Sequence, residues 1–342
     1  LSCTRPKHLL PIANKPLLDW TITHLKRSGV RDIILAIGYM GKMIRSHLRT
    51  VKGVNISFSK ERRPLGTGGA VKNARRVIGD GESFLVLNGD VLTFPDIKGL
   101  VSAHKDGTMA TITVYPIERP ERFGVMVLDK DGVVRKFVEK PRRRIGNLIN
   151  AGVYMFAPRI FDFIPNGRVS LERDVFPKLC QKRLLSACQI GGIWVDIGLP
   201  EDYLHANRIL TEKVGRRIAK GADISPAATI KGPVIISEGT RVMDGAVISG
   251  PTSLGSNVVV EEEAVVDNSV IFDDVVIGDG ASIRGAAVGE GAVIGARARL
   301  KDGCIVGDES LISDSVVLAE DVRVCPYKEV RRSVLKAKSI VV

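Results

Sequence analysis

The sequence predicts an α/β domain with a doubly wound sheet, followed by a parallel β-helix. Three observations carry that expectation. Short β-branched runs alternate with amphipathic segments through the first half of the 342 residues. In the second half an aliphatic residue returns at every sixth position. Charge divides the chain at the same place. From Asp223 onward 12 Lys and Arg stand against 18 Asp and Glu, a balance of −6, which leaves +18 on the first 222 residues.

The first half reads in order as follows. The opening stretch contains a run with Pro6, Lys7, Pro11, Asn14 and Lys15. Its prolines fix φ and oppose helix, so Lys7 is expected on a stiff loop, where its ammonium suits a phosphate as a point charge. Residues 16–28 are amphipathic and stop at Gly29. Strands are expected at 32–38, 54–59, 83–88 and 109–115, with helical segments at 40–48, 68–78 and 95–104. Strands that alternate with helices imply a doubly wound, parallel sheet, whose ligands bind beyond the carboxyl ends of the strands.

That rule selects candidate residues. The apolar 83–88 strand runs into Asn88-Gly89-Asp90, which places Asp90 at a strand's carboxyl end. A carboxylate there suits Mg²⁺, which takes one or two carboxylates plus phosphate oxygens. An aspartate that satisfies backbone amides in a turn fits the same residues. Leu65-Gly66-Thr67-Gly68-Gly69-Ala70 opens a helix, and its glycines permit close backbone approach to a base or phosphate. The spacing is not G-x-G-x-x-G, so a dinucleotide site has no support. Phe137-Val138-Glu139-Lys140-Pro141 ends a strand at a proline and exposes Glu139 and Lys140. Asn150-Ala151-Gly152 precedes another strand, and Trp194-Val195-Asp196-Ile197-Gly198 ends one. Taken singly these are a strand edge, a turn and a capping aspartate.

The hexads of the second half run through Ile224, Ile230, Ile236, Val242, Ile248, Leu254, Val260 and Val266. After a step of five come Ile271, Ile277 and Ile283, and after another Val288, Ile294, Leu300, Val306, Ile312, Leu318 and Val324. A helix needs a period of about 3.6 and an alternating strand one of about 2. A period of six indicates a solenoid whose coils bury one aliphatic core, and 18 sites at three per coil make about six coils. The expected domains are residues 1–222, 223–325 and a tail, 326–342. None of His8, His24, His47, His104 and His205 lies in the solenoid, so it lacks the usual base of a hexapeptide-repeat acyltransferase. A scaffold for oligomerisation, stability or regulation is expected instead, and apolar Val316-Val317-Leu318 would suit a partner subunit.

Composition bounds the rest. With 44% hydrophobic and 26% charged residues the chain reads as globular. No apolar run reaches 18 residues and no signal peptide is visible, which points to a cytoplasmic protein with no membrane partner. Cys3, Cys180, Cys188, Cys304 and Cys325 have no metal-site spacing and read as reduced thiols. The basic half suggests an anionic partner: a nucleotide, a sugar phosphate or nucleic acid. The cluster Lys140, Arg142, Arg143, Arg144 also reads as a solvated face. No interleaved aromatic and basic residues support nucleic acid.

From Lys7 to Asp196, in this order and spacing, these motifs resemble the nucleoside-diphosphate-sugar pyrophosphorylases, or sugar-phosphate nucleotidyltransferases. The resemblance implies a Rossmann-like, doubly wound mixed sheet, then a left-handed β-helix. The family's first strand and Gly-x-Gly-Thr-Arg loop would precede Leu1, so an N-terminally truncated chain is expected. By resemblance, Asp90 and Asp196 bind Mg²⁺, and Lys7 touches the nucleotide phosphates. The loop of Gly66, Gly68 and Gly69 faces the base, with Asn88 also on the nucleotide. Lys140 holds the sugar phosphate, Glu139, Asn150 and Gly152 contact the sugar, and Gly124 lies under its ring. Catalysis falls to Lys7, Asp90, Lys140 and Asp196.

The Leu-Gly-Thr form of the loop points to GTP or UDP. The stretches 148–154 and 170–177, and Pro326-Tyr327-Lys328-Glu329-Val330, look most like mannose-1-phosphate guanylyltransferases. Glucose-1-phosphate and N-acetylglucosamine-1-phosphate enzymes are alternatives. So is a non-catalytic regulatory or scaffold homologue, such as the related translation-initiation exchange-factor subunits. The presence of Lys7, Asp90, Lys140 and Asp196 favours an enzyme, expected as a homo-oligomer.

Overall fold

The computed structural model describes all residues, 1–342. They form two compact units, residues 20–194 and residues 1–19 with 195–342. Packing puts the first 19 residues and the 195–222 segment with the solenoid.

In chain order the elements are β1 (Pro11–Ile12), β2 (Lys15–Pro16), α1 (Leu17–Arg27), β3 (Asp32–Ile37), α2 (Gly41–His47), β4 (Asn55–Lys60), α3 (Gly66–Ile78) and β5 (Phe84–Leu87). Then come β6 (Val91–Thr93), α4 (Ile97–Ala103), β7 (Ala110–Pro116), β8 (Gly124–Leu128), β9 (Val134–Glu139) and β10 (Leu148–Phe156). The series ends with α5 (Phe176–Gln181), β11 (Leu185–Gln189), β12 (Trp194–Asp196) and α6 (Pro200–Val214). Every strand and helix expected between residues 16 and 115 is present, displaced by a residue or two at its ends.

The unit of residues 20–194 is built on β10. This strand runs antiparallel to β7 on one side. On the other it meets β8 at Leu148 and Ile149, and β5 from Val153 to Phe156, again antiparallel. β11 on β7 and β3 on β4 are parallel. The sheet is thus mixed, as the family resemblance implies, and not parallel as the alternation alone suggested. Alternation reports the helical crossovers of the first strands and is blind to the antiparallel strands that follow. β10 is central and nearly continuously buried, with Ile149, Ala151, Tyr154 and Phe156 at 0% exposure. Tyr154 stacks on Phe156 at 5.5 Å, and Phe176 closes edge-on over both.

The solenoid is a left-handed parallel β-helix of about seven turns. Its three sheets hold eight, seven and six parallel strands. All 18 hexad positions point into one core, where only Ile224 and Ile230 are less than fully buried. The residue two places before is often alanine, as at Ala246, Ala264, Ala281 and Ala298, so small and large side chains fill each layer together. Both steps of five fall at the same corner, between Val265–Asp267 and Val270–Ile271 and between Ser282–Arg284 and Ala287–Val288. The solenoid also exceeds the expected 223–325. Arg217–Ile218 adds a strand before it, and Glu329–Val330 and Ile340–Val341 add two after it, in place of a tail. Val316 and Leu318 are 3% and 0% exposed and belong to the core, so of the Val316-Val317-Leu318 run only the half-buried Val317 reaches the surface.

In α6, Pro200 occupies the first turn with Glu201 and Asp202, favourable at a helix N-terminus. Tyr203, Asn207, Leu210 and Thr211 form its buried face, spaced by four, three and one.

Candidate active site

Asn150, Ala151 and Gly152 do not precede a strand, as the sequence suggested. They lie inside β10, where its register against β7 slips between Asn150 and Tyr154. A bulge of this kind re-aims side chains and suits a site. Gly152 sits at φ 77, where a side chain is strained, and a Cβ there would lie 2.8 Å from the Asn88 Nδ2. The Asn88 amide donates to the Gly152 carbonyl at 2.8 Å. Asn150 Oδ1 accepts from the Gly152 amide at 3.1 Å, and its Nδ2 donates to the Tyr154 hydroxyl oxygen at 2.9 Å. Asn88, Asn150 and Gly152 are thus one assembly. Burial pushes the Tyr154 hydroxyl well above its ordinary pKa, so it stays protonated.

Beside it, Gly124 on β8 pairs with Glu139 on β9. A Cβ at Gly124 would lie 2.7 Å from Phe137 Cζ and 2.9 Å from Glu139 Oε2, so only glycine leaves room for the carboxylate over the strand. Burial raises the Glu139 pKa, Glu172 raises it further, and Lys140 and Arg173 oppose the shift. Lys140 follows at φ 49, immediately before Pro141, and its amide donates to the Phe123 carbonyl at 3.0 Å. A non-glycine residue in that region carries strain of about 1–3 kcal/mol, of the kind that concentrates at functional sites.

The glycines of α3 meet the protein's own chain. A Cβ at Gly66 would lie 2.6 Å from the Val169 carbonyl oxygen, and one at Gly69 2.5 Å from that of Gly167. The amides of Gly68 and Gly69 both donate to Val169 O, at 2.9 and 3.2 Å. Thr67 Oγ1 donates to Glu172 Oε2 at 2.7 Å and accepts from the Leu171 amide at 2.8 Å. Close packing on residues 167–172 therefore accounts for these glycines, and the helix N-terminus is already capped by a carbonyl.

Asp90 closes the turn after β5, half-buried, two residues beyond Asn88. Lys7 and Asp196 belong to the other unit. Lys7 opens a single 3₁₀ turn, Lys7–Leu9, behind Pro6 at φ −66 and ψ 144. Asp196 ends β12, and its Oδ1 accepts from the Gly198 amide at 2.7 Å, so the turn-capping role the sequence allowed is present.

No group of three or more His, Cys, Asp and Glu side chains forms a ready-made metal cage. Asp90 and Asp196 carry carboxylates, the donor type that a hard cation such as Mg²⁺ takes alongside water and substrate phosphates. The cysteines are free, and burial raises Cys180 and Cys188 and pushes Cys304 up to about 11, which leaves them poor nucleophiles. No helix is long and apolar enough to cross a membrane.

Sequence reasoning missed three supports. Glu172, within the 170–177 stretch, bridges Thr67 to Ser170 and acts electrostatically on Glu139 and Tyr154. Trp194 donates from Nε1 to the Ala151 carbonyl at 2.9 Å, stacks on Tyr115 at 5.7 Å and meets Phe123 edge-on at 5.2 Å. It therefore props the bulge. Tyr154 itself reads as core from the sequence, since only its hydroxyl distinguishes it from Phe156.

The profile described as Nucleotidyl transferase matches residues 1–213. The chain belongs to that family. A second profile, the GMPPB C-terminal domain, matches residues 230–340. A probable mannose-1-phosphate guanylyltransferase 3 of Oryza sativa subsp. japonica is 33% identical over 358 residues, covering 99% of this chain and 95% of the relative. Mannose-1-phosphate guanylyltransferase 1 of Arabidopsis thaliana is 34% identical over 76% of this chain and 74% of its own. Among solved structures, HddC from Yersinia pseudotuberculosis complexed with GMP-PN is similar at 31% identity and a TM-score of 0.53, covering 60% of this chain and 90% of that one. The nucleotidyl transferase relatives thus span the α/β half and the solenoid alike.

Proposed function

We propose that the chain joins a sugar-1-phosphate, mannose-1-phosphate first, to GTP, releasing pyrophosphate and the nucleoside-diphosphate sugar. The assembly of Asn88, Asn150 and Gly152 with Glu139 and Lys140 carries this reading: polar groups and one strained lysine collect on one stretch of sheet in a family of nucleotidyl transferases. Relatives named mannose-1-phosphate guanylyltransferase, two of them at 33% and 34% identity, support the choice of sugar and base.

A sugar-phosphate oxygen attacks the α-phosphorus in line, and pyrophosphate leaves. No covalent protein intermediate is needed, so the residues act by position and charge. Lys140 holds the sugar phosphate, while Asn150, Glu139 and the Gly152 backbone orient the sugar. Gly124 leaves the space under its ring. Lys7 contacts the nucleotide phosphates and Asn88 borders the nucleotide, while Gly66, Gly68 and Gly69 shape that border through their packing on residues 167–172. Asp90 and Asp196 would hold Mg²⁺, which supplies charge neutralisation on the phosphates when bound. The solenoid serves as scaffold, and a homo-oligomer is the expected assembly.

A panel of GTP, ATP, UTP and dTTP against mannose-, glucose- and N-acetylglucosamine-1-phosphate, read by pyrophosphate release, tests the reading. Turnover highest with GTP and mannose-1-phosphate is expected. Release from no pair would leave a regulatory homologue as the better account.

A further inference from the structure

The loop that carries Lys7 is held at both ends by α6 and the solenoid. Before Lys7, the Arg5 guanidinium donates to Glu290 Oε2 at 2.6 Å and to Asp308 Oδ2 at 2.8 Å, and lies 5.2 Å from the Phe272 ring centroid. Thr4 Oγ1 donates to the same Asp308 oxygen at 2.5 Å. Asp308 is itself fixed: its side chain is 6% exposed and its Oδ1 accepts from the Glu290 amide at 3.0 Å. After Lys7, the Tyr203 hydroxyl donates to the Pro11 carbonyl at 2.6 Å. Asn207 Oδ1 accepts from the Ala13 amide at 2.9 Å, and Asn14 Nδ2 donates to Ser237 Oγ at 2.9 Å and to the Leu254 carbonyl.

These contacts enforce a conformation the loop does not favour alone. Ala13 and Asn14 form the turn between β1 and β2 at φ 51 and 58. Two consecutive left-handed residues demand outside support, above all at alanine, which has no side-chain hydrogen bond to offset the strain. Asn207 accepts from the amide of that alanine, and Asn14 reaches from the next residue into the solenoid. Between the two anchors Lys7 is left a single 3₁₀ turn.

We infer that the β-helix and α6 are the mould of the Lys7 loop, and that Arg5, Asp308 and Asn207 are positioning residues for the nucleotide phosphates. The solenoid then has a part in substrate binding without contributing a group that touches substrate. The nucleotide half of this inference rests on the role proposed for Lys7, whereas the mould itself does not.

The test compares wild type, Arg5→Ala and Arg5→Lys as full-length chains. Hydrogen exchange is followed over residues 4–15 and, separately, over 230–340, with no nucleotide present. Exchange in 4–15 is expected to rise about tenfold or more in Arg5→Ala, because charge-assisted bonds to two carboxylates are lost, and to return partway in Arg5→Lys. Exchange in 230–340 should hold constant. In kinetics, the NTP KM should rise by a similar factor while the sugar-phosphate KM stays within about twofold. Unchanged exchange in 4–15, or an equal rise of both KM values, overturns the inference. If wild type transfers no nucleotidyl group to any sugar phosphate, the functional reading fails, and the exchange data still decide whether the solenoid holds the loop.

Discussion

The Asn150 carboxamide donates to the Tyr154 hydroxyl at 2.9 Å, across a bulge in the central strand of the sheet. Tyr154 is fully buried, so an otherwise aromatic core presents one polar atom at the place where Asn150 needs an anchor. Tyr154→Phe should keep the fold, lower its stability by about 1 kcal/mol and raise the KM for sugar phosphate while the NTP KM holds. Thermal melts and steady-state kinetics check both parts; an unchanged sugar-phosphate KM rejects the link between hydroxyl and site.

Lys140 combines a left-handed φ of 49 with a following proline. Lys140→Gly should remove that strain and the ammonium together. Its melting temperature should match or exceed wild type, since the strain released, about 1–3 kcal/mol, offsets the extra flexibility of glycine. The KM for sugar phosphate should rise far more than that for NTP. A variant that is both less stable and fully active would contradict the assignment.

Glu139 gives a pH test. Burial, with help from Glu172, holds its carboxyl above the ordinary value of 4.5. The folded state therefore binds this proton more tightly than the unfolded one. The associated stability is present below the unfolded value and is lost as pH rises through the folded value. Glu139→Gln removes the dependence. Urea midpoints from about pH 4 to pH 7 should show the variant gaining on wild type as pH rises. A gain by wild type over the same range would reverse the sign and exclude burial as the dominant cause.

Asp90→Asn should preserve the melting curve and abolish Mg²⁺-dependent pyrophosphate release, because an amide cannot neutralise the cation. Chelation of wild type followed by Mg²⁺ should restore turnover in wild type alone. Full activity in the variant would remove Asp90 from the metal site.

The solenoid was legible almost residue by residue, because its period is set by coil geometry and each of 18 aliphatic positions reports the same core. Its far end was less so: Val330 still lies six beyond Val324, but the core then continues through Val334 and Val341, at steps of four and seven. In the α/β unit the early elements followed from alternation, but β8, β9 and β10 pair antiparallel through hairpin-like returns that alternation cannot report. Among site residues, glycines were readable as places of close approach. What approaches them was not, and at Gly66, Gly68 and Gly69 it is the 167–172 segment. Arg5 and Asn207 gave no local signal, since their partners lie hundreds of positions away or in the loop they hold.

The two shortened hexads, both at one corner of the triangular coil, bear on how this protein tolerates change in length. A residue lost from within a strand would turn every later side chain of that strand to the opposite face and send aliphatics into water. One lost at the corner shortens only the bend, and Ile271 and Val288 still stack in line beneath Leu254. Along that edge of the prism the chain can therefore be one residue shorter while the strands above and below stay in step.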